Sequence, residues 1–407
     1  SISITDDEVS MRNQYLLCLG ASGTPFLDAF FTVSGGFLLL SLAPQFNLST
    51  WSAGAYGTSY LFGVMAGSFL VSAVSKKLKT ENIYFLSPLA IFILLLSQVL
   101  FDSFFYLLAA RFLFGFFIGS DYPISQVFFS SQCHTSFKAK GLTLLMSSWY
   151  WGAIFAILVF WFASLFSVSS EILLAAPALI PLVVLLTRLP YFSSTSKTSQ
   201  KSSKNVSSSP ISKSWSKESL LNLGFLCAFW TCQCIPVTVI LLFGPSIMEA
   251  LGFSGSGSFF QLSVTYIFFF IGSSCSYLII DKCTRKFLAL ITFALMALCL
   301  IPLLWADSVS LLIIVFAFIG YAASYGLQTT LDYVYPNEIF EVKIREQAIG
   351  VLTCVTRFVS GLSAFFFPYF LSKFSITSII LTAVFILTIG FFSTYLFAPV
   401  DACSKND

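Results

Sequence analysis

The sequence predicts an all-α membrane protein of about twelve transmembrane helices arranged as two six-helix bundles, with both termini cytoplasmic. Three observations carry this reading. The 407 residues are 57% hydrophobic and only 10% charged, with 48 Phe; at a mean hydropathy of +0.89 a soluble domain of this size could not bury so much apolar surface. Windows of about 20 apolar residues, enough to cross a hydrocarbon core of ~30 Å, recur along almost the whole chain. A polar stretch near the middle divides these windows six and six.

The spans fall near residues 14–44, 52–74, 83–101, 104–133, 141–167, 171–188, 219–246, 257–280, 287–305, 308–335, 346–372 and 375–398. The first is expected to act as its own insertion signal. Basic residues orient the set. Of 21, only Arg111, Arg357 and Lys373 lie outside the two termini and the even-numbered loops, whereas Asp102, Glu171, Glu249 and Asp307 occupy odd-numbered loops. The positive-inside rule makes the even-numbered loops cytoplasmic. Between Pro190 and Lys217 the composition turns to Ser and Lys, with too few apolar residues to fold. Residues 190–217 are therefore expected to form a flexible cytoplasmic linker between an N-terminal bundle, 1–189, and a C-terminal bundle, 218–407.

The ten Cys sit in spans or at cytoplasmic ends, a distribution of small apolar filler rather than of a disulfide framework. Cys232 and Cys234 have no neighbouring His or further Cys, so no metal site is expected. A single histidine, His134, and the lack of a nucleotide-binding loop argue against an ATP-driven pump or a membrane hydrolase. No cofactor and no nucleic-acid partner is implied. The expected partners are the bilayer, a small solute and protons, and the expected oligomeric state is a monomer.

Three charges stand deep in apolar runs: Asp28 in span one, Asp121 in span four and Arg357 in span eleven. An ionised side chain near the bilayer centre costs about 2.5–3.5 kcal/mol on insertion scales, which marks such residues as pathway-lining or paired. At ~1.5 Å per residue both acids fall near the midplane. Each is a candidate proton-coupling site, the alternative being a static hydrogen bond from a neutral Asp. Arg357 shares a small, polar helical face with Thr353, Thr356, Ser360 and Gly361. A guanidinium there suits a carboxylate or phosphate; the alternative is a permanent salt bridge to Asp28 or Asp121. Tyr122 and Gln126 extend the polar surface around Asp121. Trp230 and Gln233 on span seven, with Tyr325 and Gln328 on span ten, complete a candidate substrate surface. Arg111 is expected in the external half, steering anions or pairing with Asp102. Asp332, at the end of the span-ten stripe, is assigned to a cytoplasmic gate with Asp281, Arg285, Glu338 and Arg345.

Loop motifs repeat between the halves. Asp281-Lys282-Cys283-Thr284-Arg285-Lys286 after span eight is echoed by Ser75-Lys76-Lys77-Leu78-Lys79 after span two. Tyr335-Pro336-Asn337-Glu338-Ile339-Phe340, followed by Arg345, is echoed by Tyr122-Pro123, Gln132 and Lys138-Ala139-Lys140. At these residues the chain resembles the major facilitator superfamily over essentially its whole length. The span-ten motif resembles the sugar-porter and organic-ion branch, and Gly119-Ser120-Asp121-Tyr122-Pro123 is similar to span four of proton-coupled phosphate and metabolite symporters. Thr284 replaces the usual Gly, the motif after span two lacks its acid, and Gln132 stands where sugar porters carry Glu.

The resemblance implies a solute site between the halves and alternating access. Together with the buried charges it leads to an expected function: proton-coupled symport of a small polar solute, such as phosphate or an organic acid, in a bacterial inner membrane. A neutral solute such as a sugar is the alternative within transport, and a transporter-like solute sensor is the alternative of another class.

Overall fold

In the computed structural model, residues 6–74, 79–191, 215–250, 257–305 and 307–399 are described, and among them no strand occurs. The N-terminal half comprises α1 (Asp6–Phe46), α2 (Thr50–Val74), α3 (Thr80–Ser97), α4 (Phe104–Gln132), α5 (Thr135–Leu165), α6 (Ser170–Ala175) and α7 (Leu179–Arg188). A short 3₁₀ turn, Ala176–Ala178, joins α6 and α7 into one span. The C-terminal half comprises α8 (Lys217–Ala250), α9 (Gly257–Ile279), α10 (Arg285–Leu300), α11 (Leu311–Thr329), α12 (Leu331–Ile339), α13 (Val342–Lys373) and α14 (Ile376–Phe397). Here α11 and α12 form one apolar span, Leu311–Ile339. The helices correspond one to one with the twelve spans expected from hydropathy. Most of the expected linker, residues 192–214, lies outside the described residues.

Helix starts follow local chemistry. Ser103, Thr284 and Ser375 precede α4, α10 and α14, and each hydroxyl accepts from the backbone N–H three residues on, which satisfies one of the orphan donors of a first turn. With little water-driven force between helices in a membrane, close approach decides the packing. Gly63 and Gly67 of α2 face Gly115 and Gly119 of α4 so closely that an added Cβ would stand 2.0–2.2 Å from a carbonyl oxygen of the other helix. Gly115 and Gly119, four apart on one face of α4, thus form the close contact with α2. In the other half Gly272 of α9 meets Ala323 of α11 and Gly326 of α11 meets Phe269 of α9 in the same way. Spans two and four thus repeat as spans eight and ten, the structural counterpart of the loop echo in the sequence. The halves meet chiefly along two helix pairs, α2 with α13 and α5 with α9.

Candidate functional site

Asp28 lies at the junction of the halves and is fully buried. It accepts from Tyr60 Oη on α2 (2.7 Å), Tyr122 Oη on α4 (2.7 Å) and Trp149 Nε1 on α5 (2.8 Å). Its fourth partner is Arg357 Nη2 of α13, in an ion pair that crosses from one half to the other. The Arg357 guanidinium also lies 5.8 Å from the centre of the Tyr122 ring, and that ring packs against Tyr333 of α12, 6.4 Å between centres. Charge-assisted bonds of this kind are about twice as strong as neutral ones. Of the two partners proposed for Arg357 from sequence, Asp28 is the one it meets.

Asp121 stands elsewhere, inside the N-terminal half. It pairs with Arg188 Nη1 at 2.9 Å and accepts from Thr24 Oγ1. Arg188 is fully buried; it donates to Thr24 Oγ1 (2.8 Å) and to the carbonyls of Gly20 (3.0 Å) and Tyr84 (2.7 Å), with its guanidinium 4.1 Å from the Tyr84 ring centre. One ion pair thus ties α1, α3, α4 and α7. Asp28 and Asp121, both candidate proton-coupling sites from sequence, therefore belong to separate networks, because each carboxylate in a low-dielectric interior takes its own guanidinium. Arg188, read from sequence as a loop cation, is the residue that reasoning missed. Its position within the apolar turn Leu185-Leu186-Thr187-Arg188-Leu189 was the available signal. Arg111 is likewise buried rather than paired with Asp102; it donates to the Phe31 carbonyl at 2.6 Å and lies beside the rings of Tyr56 and Tyr60.

A second polar cluster lies within the C-terminal half. Gln233 of α8 and Gln328 of α11 are 3.1 Å apart, Gln328 reaches Thr292 Oγ1 of α10 at 3.0 Å, and Gln233 lies against Asp332, 2.7 and 3.1 Å from its carboxyl oxygens. Asp332 therefore does not join Glu338 and Arg345 in a gate, as expected from its place in the chain: it begins α12, on the turn where span ten is still deep, and it faces α8. Tyr325 packs its ring 5.0 Å from Phe269 and 6.5 Å from Tyr321. Trp230 is buried, and among the described residues its Nε1 has no acceptor. The same holds for Tyr321 Oη.

The remaining gate residues gather at the end of the bundle that carries the basic loops. Arg285 grips Glu338 with two bonds, 3.0 and 2.8 Å, and Lys140 reaches Asp281 at 3.7 Å, across the halves. Arg345 donates to the Phe340 carbonyl and to Ser130 Oγ of α4 (3.3 Å). Gln126, assigned from sequence to the substrate surface, instead accepts from Asn337 Nδ2 of α12 at 3.1 Å, and Lys138 donates to the Asn337 carbonyl at 2.8 Å. Deeper, Ser147 meets Ser273 (2.9 Å) and Tyr150 meets Thr329 (2.7 Å). The halves are closed against one another at the basic end.

An apolar crevice lined by Ile235, Leu362, Phe366, Phe370, Ile379 and Ile386 opens between α8, α13 and α14. Among the described residues no charged side chain lines it, and it lies apart from the polar networks.

Two six-helix halves meeting along spans two, five, eight and eleven, with a buried ion pair across the junction, define a secondary transporter of the two-bundle class. A family model described as Major Facilitator Superfamily matches residues 26–335. The chain belongs to the major facilitator superfamily, a family of transporters rather than enzymes, and is a multi-pass integral membrane protein. Among its relatives is YaaU of Escherichia coli (strain K12), named as a metabolite transport protein, which is 28% identical over 94% of this chain and 91% of that one. The inner membrane metabolite transport protein YgcS of the same organism is 23% identical over 93% and 89%. The proton:xylose symporter XylE, solved with 6-bromo-6-deoxy-D-glucose, superposes with a TM-score of 0.77 over 96% of this chain and 97% of that one, at 14% identity. FucP in its outward conformation gives 0.68 over 95% and 99%, also at 14% identity. At that identity the two structures establish the fold alone.

Proposed function

We propose that the protein is a proton-coupled symporter of a small polar solute, with Asp28 as the coupling acid and Arg357 as the residue that receives a negatively charged group of the solute, a phosphate or a carboxylate. One observation supports this reading: the buried Asp28–Arg357 pair joins the two halves, which would have to part in alternating access. Separating two buried opposite charges is costly, since each is left without its partner. A proton on Asp28 removes one charge, and an anion on Arg357 replaces the other. Either alone leaves one bare charge and neither leaves two, so opening is favoured when both are bound. Asp121, held by Arg188 away from the junction, serves to tie the N-terminal half into one moving unit. The solute surface is built from Trp149, Tyr325, Trp230 and Tyr321, the last two contributing donors that lack an acceptor within the described protein.

By the positive-inside rule the basic end is cytoplasmic, and the protein resides in a bacterial plasma membrane, like the inner membrane transport protein YgcS. The closure at the basic end then shuts the cytoplasmic side. A neutral solute is the second reading, favoured by one specific fact: Asp28 and Arg357 neutralise each other, which leaves no net charge for an anion to answer.

Proteoliposomes decide between the readings. Solute added outside should carry protons inward under symport, read as external alkalinisation; phosphate and organic acids should do so and sugars should not. Asp28→Asn should abolish this proton movement yet retain counterflow of labelled against unlabelled solute. Proton movement driven by sugars alone would move the neutral reading ahead, and proton coupling retained in Asp28→Asn would remove Asp28 from the mechanism.

A further inference from the structure

The ion pairs described above account for Asp28, Asp121, Arg188 and Arg357. Asp332 has no such partner: among the described residues no Lys or Arg comes within ion-pair distance of it. Its contact is the side-chain amide of Gln233, one atom of which stands 2.7 and 3.1 Å from the carboxyl oxygens. Whether that atom is oxygen or nitrogen follows from the far end of a chain of amides.

Gln328 presents one amide atom to the Ala289 carbonyl (3.5 Å) and to Thr292 Oγ1 (3.0 Å). A backbone carbonyl only accepts. The Thr292 hydroxyl directs its one proton at the Leu288 and Ala289 carbonyls of its own helix, 2.7 and 3.0 Å away, which leaves it an acceptor as well. The Gln328 atom is therefore Nε2, and its Oε1 faces Gln233 at 3.1 Å. Gln233 must answer with Nε2, which turns its own Oε1 toward Asp332. An ionised carboxylate has nothing to donate. Turning Gln233 over to suit one would set two amide oxygens 3.1 Å apart. The arrangement that keeps the Gln328 bond to the Ala289 carbonyl and the Thr292 bonds to its own helix is one in which Asp332 carries a proton and donates it to Gln233 Oε1 at 2.7 Å; an ionised Asp332 would need both amides turned over and would set Gln328 Oε1 against that carbonyl.

We infer that Asp332 is a neutral carboxylic acid in this closed state and the proton-binding site of the C-terminal half, with Gln233 and Gln328 as the relay that senses it. The titratable groups near enough to feel its charge are Tyr150 on α5, Cys234 on α8, Tyr325 on α11 and Tyr333 on α12, all neutral near pH 7 in their ordinary ranges. Arg357 on α13, which Cys234 and Tyr333 also face, is committed to Asp28. Loss of the proton has a mechanical consequence. Gln233 must turn to donate to the carboxylate, and its bond to Gln328 breaks, which removes the polar link between α8 and α11. Proton occupancy on α12 is thereby converted into contact between two helices of the solute surface. That use of the proton rests on the symport reading, whereas the protonation itself does not.

The test is infrared spectroscopy of the full-length protein in lipid, without solute. A protonated-carboxyl carbonyl band that shifts in D₂O should be present near neutral pH, persist in Asp28→Asn and Asp121→Asn, and be lost in Asp332→Asn. The Asn amide donates to the same Gln233 oxygen, so this variant should melt close to wild type. Gln328→Leu frees Gln233 to turn and should lower the pH midpoint at which the band disappears by about one unit or more. Absence of the band, its survival in Asp332→Asn, or an unmoved midpoint in Gln328→Leu would overturn the inference. A band that behaves as described in a protein that moves no protons with solute would count against the symport reading alone.

Discussion

Removing Arg357 should destabilise the closed protein in a way that depends on Asp28. In Arg357→Gln the fully buried Asp28 carboxylate keeps Tyr60, Tyr122 and Trp149 as donors but loses the one cation paired with it among the described residues, and breaking a buried pair from one side costs about 3–5 kcal/mol. Asp28→Asn should cost about as much, because it strands Arg357 instead. The double variant leaves neither charge: Tyr122 and Trp149, which share one carboxylate oxygen, still find the Asn oxygen, the Tyr60 hydroxyl can turn to accept from the Asn amide, and the cost falls to about 1–2 kcal/mol, the scale of an imperfect neutral hydrogen bond. The two single losses together exceed the double by about 4 kcal/mol or more, far outside the ~0.5 kcal/mol within which independent sites add. Unfolding of the four proteins in one detergent, followed by tryptophan fluorescence, measures this cycle. Additive losses would mean that the pair contributes nothing to the closed state, and the coupling mechanism built on it would fall with it.

Other expectations follow from the remaining contacts. Arg357→Lys keeps the charge but not the two-pronged geometry, so affinity for an anionic solute should fall at least tenfold in calorimetric titration while a neutral solute binds unchanged. Arg188→Leu strands Asp121 within the N-terminal half and should cost about 3–5 kcal/mol of stability, with rescue in the double variant with Asp121→Leu. Gly119→Ala places a methyl about 2.2 Å from the Val64 carbonyl oxygen and should destabilise by about 1–3 kcal/mol, seen as a lower melting temperature. Protease added to inside-out vesicles should cut between Pro190 and Lys217 and leave two fragments of similar size; cleavage only from the opposite face would reverse the orientation.

Hydropathy and charge placement made the helical class and all twelve spans legible, because a hydrocarbon solvent demands long runs of apolar residues with internally bonded backbone. The close contact at Gly115 and Gly119 was readable for a related reason: spacing on one helix is a local property. Partnership was not. Asp28 and Asp121 look alike in the chain, yet one meets Arg357 across the halves and the other meets Arg188 from a turn that sequence alone assigned to a loop. Tyr60 and Trp149 gave no signal as ligands of Asp28, since an aromatic residue in a Phe-rich span is ordinarily packing. Gln126 and Asp332 exchanged their expected places, the first joining the closure at the basic end and the second joining the amide cluster, because a helix of known sequence still has to be rotated and set at a depth by its neighbours. Residue chemistry along the chain determined which groups would need partners in the membrane; only the folded arrangement of helices decided which partner each obtained.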